Sequence, residues 1–218
     1  MAQRLRMPID DFKVSAGYKN PAYLKRFKYN HFGIDGFSVN KSIALYGIGN
    51  GTVKAAGLDG INGKTKGNGS GCGYVLVVVY DDCINNKTGE RSDLTCTYMH
   101  LREKPKVKKG DKVTRKTLLG FYGDTGALVT GAHLHTQLDT DTKFPLYCTG
   151  LSSEGHAILK KGTVDSTVNP CDWLWLDEGQ TITAPNSVYY ASGEFLSIPR
   201  IPSIGSGRLN QNRVDVKV

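Results

Sequence analysis

No stretch of this sequence approaches the roughly 18 consecutive apolar residues that a membrane-spanning helix needs. The longest apolar run is Tyr74 to Tyr80, so a helical membrane span is excluded and a soluble protein is expected. The basic N-terminus, Met1 to Pro8, leads into no apolar core, and no secretory signal is visible. There is no arginine-rich arm and no basic helix spaced for a groove, which argues against a dedicated nucleic-acid binder despite a net charge of +8. The five cysteines (Cys72, Cys83, Cys96, Cys148 and Cys171) contain no CxxC pair, which removes a zinc ribbon or a thioredoxin-type site. Their odd number leaves at least one thiol outside any intrachain bridge. Buried thiols in a reducing compartment are the expectation. In an oxidising place, Cys148 with Cys171 and Cys83 with Cys96 are the pairs to test.

Helix signals are also scarce, with Asn20 to Lys28 the one modest candidate. What is abundant is glycine, 26 residues, with turn signals at short intervals between brief apolar or alternating runs. Those runs are Thr52 to Ala56, Tyr74 to Tyr80, Thr95 to Leu101, Lys112 to Val113, Leu118 to Tyr122 and His133 to Leu138. This pattern predicts a mainly β, antiparallel fold. The stretch from Tyr74 to Tyr80 is apolar on both faces and predicts a central strand covered on each side, whereas Asp81 to Asp93 reads as a long loop. After Leu138 the periodicity weakens. One domain over residues 1–176 is expected, with a core at 29–138 and an insertion at 139–168. Residues 177–218 read as an extension or linker.

Histidine is sparse and clustered. Four of the five histidines fall into three short patterns: His31-Phe32-Gly33-Ile34-Asp35, Tyr98-Met99-His100-Leu101 and His133-Leu134-His135. A period of two sends His133 and His135 to one face of a strand and Leu134 to the other. His31 and Asp35 sit in a loop that runs into a strand. Two histidines and a carboxylate meet the needs of a catalytic zinc, which keeps one position open, and two further histidines remain for proton transfer. His156, beside Gly155, falls outside every pattern and is assigned no role.

In this order the motifs resemble the lysostaphin/LytM-type zinc endopeptidases of bacterial cell walls. The resemblance runs through Ala44 to Gly57, Val107 to Val113, Leu119 to Gly126 and Thr130 to His135, and covers about half the chain, from Tyr29 to Leu138. It implies one zinc per chain held by His31, Asp35 and His135, with His100 and His133 as the acid/base pair. It also implies a two-layer, largely antiparallel sheet of the duplicated-hybrid-motif type, with long loops around a groove. The implied reaction is metal-assisted hydrolysis of amide bonds in the peptide stems or cross-bridges of peptidoglycan. Tyr98, two residues from His100 and by alternation on the same strand face, is either a residue that helps order the site or a core tyrosine, and Gln137, where the family often has an acidic residue, is a candidate supporting or substrate residue; Ala132 replaces a common proline. An intact ligand set argues against a degenerate relative that only binds or regulates. With no visible signal, a cytoplasmic product released to the wall as a lysin, or a virion-associated wall-piercing component, is expected, and the positive charge suits anionic wall polymers.

Overall fold

The computed structural model describes residues 1–58, 71–126, 129–143, 145, 150–151, 157–158, 165–184 and 197–202. His156, Cys148, most of the 139–168 insertion and most of the segment after 184 lie outside them. In chain order the elements are β1 (Leu5–Arg6), β2 (Asp11–Ala16), α1 (Pro21–Phe27), β3 (Ile34–Ser38), β4 (Ala44–Tyr46), β5 (Gly51–Leu58), β6 (Tyr74–Ile84) and β7 (Arg91–Leu101). They continue with β8 (Lys112–Val113), β9 (Leu118–Phe121), β10 (Leu134–Asp139), β11 (Gly150–Leu151), β12 (Ala157–Ile158), β13 (Thr167–Val168), a 3₁₀ turn at Pro170–Asp172, β14 (Leu174–Trp175) and β15 (Thr181–Thr183).

A nine-stranded sheet in the order β15-β2-β3-β10-β7-β6-β5-β8, with β13 also on β10, forms the body. Its pairings are antiparallel except for the parallel β15–β2 edge. Two small sheets, β4–β9 and β1–β14, pack on one of its faces. The alternation of β6 explains why it reads as apolar throughout. Leu76, Val78 and Tyr80 join the main core with Phe12, Leu45, Leu119, Leu134 and Trp173. Val75 and Val77 instead join Ala55 and Met99 in a smaller cluster. Both faces of the central strands are therefore covered.

The loop expected over Asp81 to Asp93 is mostly strand. β6 runs on to Ile84 and β7 starts at Arg91, so only a tight turn remains. Asn85 builds that turn by accepting the Lys87 and Thr88 amides on its side-chain oxygen, and Gly89 takes the left-handed conformation. The polar residues that suggested a loop are partners instead: Asp82 pairs with Arg91, and the Asp82 amide donates to Asp93. The hairpin also settles one cysteine question. Cys83 lies opposite Ser92 and Cys96 opposite Val78, so the two face different rungs and both remain buried free thiols. Burial pushes the Cys83 thiol up to about 12, which makes it inert.

The helix forms where expected because Asn20 caps it, accepting the Ala22 and Tyr23 amides, Pro21 sits in its first turn, and Lys28 closes it in the left-handed conformation. No helix is long and apolar enough to cross a membrane among the described residues. Residues 177–184 lie on the body, with β15 extending the sheet beside β2 and Ile198 entering the core. Gln180, 1% exposed, ties this segment to the N-terminus. Its oxygen accepts the Met7 and Asp177 amides, and its nitrogen donates to the Met7 carbonyl and to Asp10. Gln180→Ala strands several buried backbone groups, each costing about 1–3 kcal/mol, and is expected to lower stability by about 2–4 kcal/mol. Urea unfolding checks this: the midpoint should fall with the slope unchanged. A midpoint like the wild type's would show that water replaces the amide without cost.

Candidate metal centre and its groove

The centre is assembled by strand register. Asp35 on β3 lies opposite His135 on β10, and His135 lies opposite Met99 on β7. Asp35 and His135 therefore share one face of neighbouring strands. His31 reaches the same point from the loop before β3. Gly33 lets that loop lie close over β10, since a Cβ there would stand 2.4 Å from the Thr136 carbonyl and 2.8 Å from His135 Nε2.

The donor atoms form a tight triangle. His31 Nε2 to Asp35 Oδ1 is 3.0 Å, Asp35 Oδ1 to His135 Nδ1 is 2.8 Å, and His31 Nε2 to His135 Nδ1 is 3.1 Å. All three residues are buried. Donors around a tetrahedral zinc stand about 3.3 Å apart, so a spread of a few tenths of an ångström accommodates the ion. The tautomer also fits: His31 Nδ1–H donates to the Gly17 carbonyl at 2.8 Å, which aims the Nε2 lone pair at the centre.

His100 and His133 stand beside this triangle. Their ring centroids are 4.9 Å apart, and His133 Nε2 is 3.8 Å from Asp35 Oδ2. Each Nδ1–H donates to a carbonyl, His100 to Thr125 at 2.9 Å and His133 to Gly131 at 2.8 Å. Thr125 is itself fixed, its hydroxyl donating to the Leu101 carbonyl and accepting the Tyr74 amide. His100 reaches the site through a bulge. Tyr74 pairs with Leu101 but Leu76 with Tyr98, so β7 carries an extra residue there, and His100 has φ of 63°. Met99 and His100 consequently both face the groove, while Leu101 returns to the core.

This bulge selects the core reading of Tyr98. It does not share a face with His100; it is fully buried in the main core, with its hydroxyl 3.0 Å from that of Tyr80. Gln137, two residues along β10 from His135, lines the groove and donates to Asp139 at 2.8 Å. The groove, about 1060 Å³, also receives residues that carried no earlier signal: Tyr23, Phe27, Tyr29, Met99 and Cys72. The i, i+4 spacing of Tyr23 and Phe27 beside a capped helix was the available clue. The 81–93 hairpin lies away from the groove, against the N-terminal strand and the 3₁₀ turn.

Electrostatics divide the histidines. Burial disfavours charge on His31, His100 and His135, but the adjacent Asp35 carboxylate overrides it at His31, whose pKa is raised. Burial wins at His135, which is lowered. Asp35, though buried, is held well below the usual carboxylate range by His31 and His135. Burial, with His133 and His135 nearby, depresses His100 to about 4, so it is a neutral imidazole at neutral pH.

No family model matches this chain, and neither does any curated protein. Among solved structures it is similar to a zinc-containing peptidase from Vibrio cholerae, at 18% identity and TM-score 0.46, over 75% of this chain and 41% of that one. It is similar to lysostaphin from Staphylococcus simulans at 21% identity and TM-score 0.47, over 78% and 52% of the two chains. A variant catalytic domain of the prophage-encoded EnpA protein from Enterococcus faecalis aligns at 18% identity and TM-score 0.45, over 76% and 94%. The chain thus spans about half or less of the first two proteins. Likenesses of this size concern the arrangement of the fold alone.

The histidine shifts carry a pH signature in metal-free protein. A folded-state pKa below the unfolded value means that the unfolded chain binds the proton more tightly, so this stability is present above about pH 6.5 and drains away toward pH 4. His100 and His135 act in this direction, and His31 opposes them. His100→Gln should flatten the decline by about 2 kcal/mol between pH 7 and 4.5, measured by urea unfolding under chelator. An unchanged slope would place the titration elsewhere.

Proposed function

We propose that the chain is a zinc-dependent endopeptidase of the lysostaphin/LytM type, which hydrolyses amide bonds in the peptide stems or cross-bridges of bacterial peptidoglycan. The observation that carries this reading is the buried His31–Asp35–His135 triangle, open on one side to a groove where two more histidines stand. A structural metal site closes its coordination with protein; a set of three with an open side suits catalysis. Zinc bound there would supply Lewis acidity toward water and the scissile carbonyl. The remaining work belongs to the chain. His100, neutral and tied through Nδ1, presents Nε2 as a proton acceptor. His133, similarly tied, presents its Nε2 on the Asp35 side, where, after taking up the proton released from the water, it would donate to the oxyanion or the leaving amine. Gln137 remains a candidate for orienting His135 or touching substrate. Tyr98 is too deep in the core to do either. The site of action is the cell wall, reached by release from the cytoplasm or on a virion, and the charge of +8 favours anionic wall polymers.

Alanine at His31, Asp35 or His135 is expected to lower zinc content and abolish release of wall fragments. His100→Ala and His133→Ala should keep zinc while losing roughly 10²- to 10⁴-fold in turnover. Metal analysis, with digestion of purified walls of several chemotypes and mass spectrometry of the fragments, reads both. Full activity of chelated, metal-free protein would overturn the zinc reading, and loss of metal in His133→Ala would overturn the division of roles.

A charge component of wall binding is tested separately. Retention on insoluble wall material should weaken as salt rises through several times physiological strength, because exposed charges are screened over about 8 Å already at that strength. Unchanged retention would show that charge does not target the protein.

A further inference from the structure

His31 is the one member of the triangle that no strand carries, and its place depends on the turn at residues 17–19. Its Nδ1–H donates to the Gly17 carbonyl at 2.8 Å, and its own carbonyl accepts the Lys19 amide at 2.6 Å. Lys19 has φ of 43°, so the chain turns sharply here after β2 and needs an outside hold to stay in one place. The hold comes from a distant segment. The Tyr18 hydroxyl donates to the Thr167 carbonyl at 2.9 Å, and the Lys19 ammonium donates to Asp165 Oδ2 at 2.6 Å. Asp165 is preset for this contact, because its other oxygen accepts the Thr167 amide at 3.0 Å. The same segment is bound to the strand of His135. Leu138 pairs with Val168 and Asp139 with Thr167, and the Ser166 hydroxyl donates to the buried Asp139 carboxylate at 2.8 Å. Asp165, Ser166 and Thr167 thus join the turn that aims His31 to the strand that carries His135. They close the 139–168 insertion and lie outside the 29–138 core in which every candidate ligand is found.

We propose that Tyr18, Lys19 and Asp165 are positioning residues for the metal centre, a clip across β13 that sets where His31 stands relative to His135 and thereby the affinity for zinc. The proposal deepens the endopeptidase reading and rests on it for the identity of the ion. Two magnitudes separate this role from a merely structural one. The side chains of Lys19 and Asp165 are 35% and 38% exposed, and an ion pair so placed adds little to global stability. A metal site is far more sensitive, because displacement of a ligand by a fraction of an ångström is felt at once in affinity. Loss of the clip should therefore be visible in zinc binding before it is visible in folding. The phenol and the ammonium act on the same turn from adjacent residues, so each partly covers for the other, and removal of both should cost more than either alone.

The test uses the full-length chain stripped of metal and titrated with zinc against a chromophoric chelator, so that affinity is read without any substrate. Partners that bond a ligand directly are typically worth about 10- to 100-fold in metal affinity, and these stand one contact further out. Tyr18→Phe and Lys19→Met should each weaken zinc about three- to tenfold, and the double variant more than either. The cobalt-substituted forms should show altered visible spectra, since the ligand geometry has changed, while the melting temperature of the metal-free protein stays near that of the wild type. Lys19→Asp combined with Asp165→Lys should recover affinity that Asp165→Lys alone loses. Lys106→Met, which removes the comparably exposed pair with Glu103, is the control and should leave zinc affinity unchanged. Wild-type affinity in Tyr18→Phe and Lys19→Met, a loss equalled in the control, a loss that only follows a fall in metal-free melting temperature, or a charge exchange that restores nothing would each overturn the clip. The two readings fail separately. A wild type that binds zinc yet leaves purified walls intact ends the endopeptidase reading and not the clip; variants that bind zinc as the wild type does end the clip and not the endopeptidase reading.

Discussion

Everything at this site depends on a carboxylate being buried between two imidazoles. An ionised Asp35 in a dry sheet face would be prohibitive alone, and its pKa would rise until it neutralised. It stays ionised because His31 and His135 approach the same oxygen within 3.0 and 2.8 Å. That proximity is a consequence of register. Directly opposed residues on neighbouring strands hold their Cβ atoms about 5 Å apart, and a slip of one residue would turn His135 into the main core and Leu134 into the groove. The same triangle serves folding and chemistry in opposite ways. In the absence of a cation the three donors must share protons between them; with a divalent ion each presents a lone pair inward. The cluster is thus stable enough to form and unsaturated enough to bind.

Much of this was legible in the sequence, for identifiable reasons. His133-Leu134-His135 declares its own faces by alternation, and Asn20, Pro21 and Lys28 announce the helix by capping chemistry that needs no tertiary partner. The two-sided apolar character of Tyr74 to Tyr80 reports a central strand because both faces of β6 are covered, one by the main core and the other by Ala55, Val75, Val77 and Met99. What stayed hidden is set by partners distant in the chain. The bulge at His100 exists because Tyr74 and Leu76 pair with Leu101 and Tyr98, a count of residues on two strands that neither strand displays by itself. Simple alternation therefore put Tyr98 in the site and concealed that Met99 and His100 both face it. The polar run Asp81 to Asp93 misled in the same way. Its carboxylates satisfy Arg91 and a backbone amide within an extended hairpin, while the N-terminal strand pairs alongside at Gln3 and Cys83.

The rigidity of the centre is supplied from the far side of the sheet. Along β10 the residues alternate strictly: Leu134, Thr136 and Leu138 are buried toward the main core, and His135 and Gln137 face the groove. Each buried leucine contributes about 2 kcal/mol to folding, and because it is on the same backbone it also fixes the direction in which its neighbour points. The same argument holds on β7, where Tyr98 and Leu101 pack in the core on either side of the bulge that turns Met99 and His100 outward. The phenol pair of Tyr80 and Tyr98 at 3.0 Å, with Tyr80 also accepting the Ile48 amide at 3.4 Å, locks β6, β7 and the loop before β5 into one body. A metal centre tolerates displacements of only a few tenths of an ångström, and loops alone do not hold that tolerance. Two of the three candidate ligands, Asp35 and His135, therefore stand on central strands of a nine-stranded sheet. The third, His31, comes from a loop, and it is the one whose ring is clamped twice over, by the Gly17 carbonyl on its outer nitrogen and by the Tyr23 ring on its face.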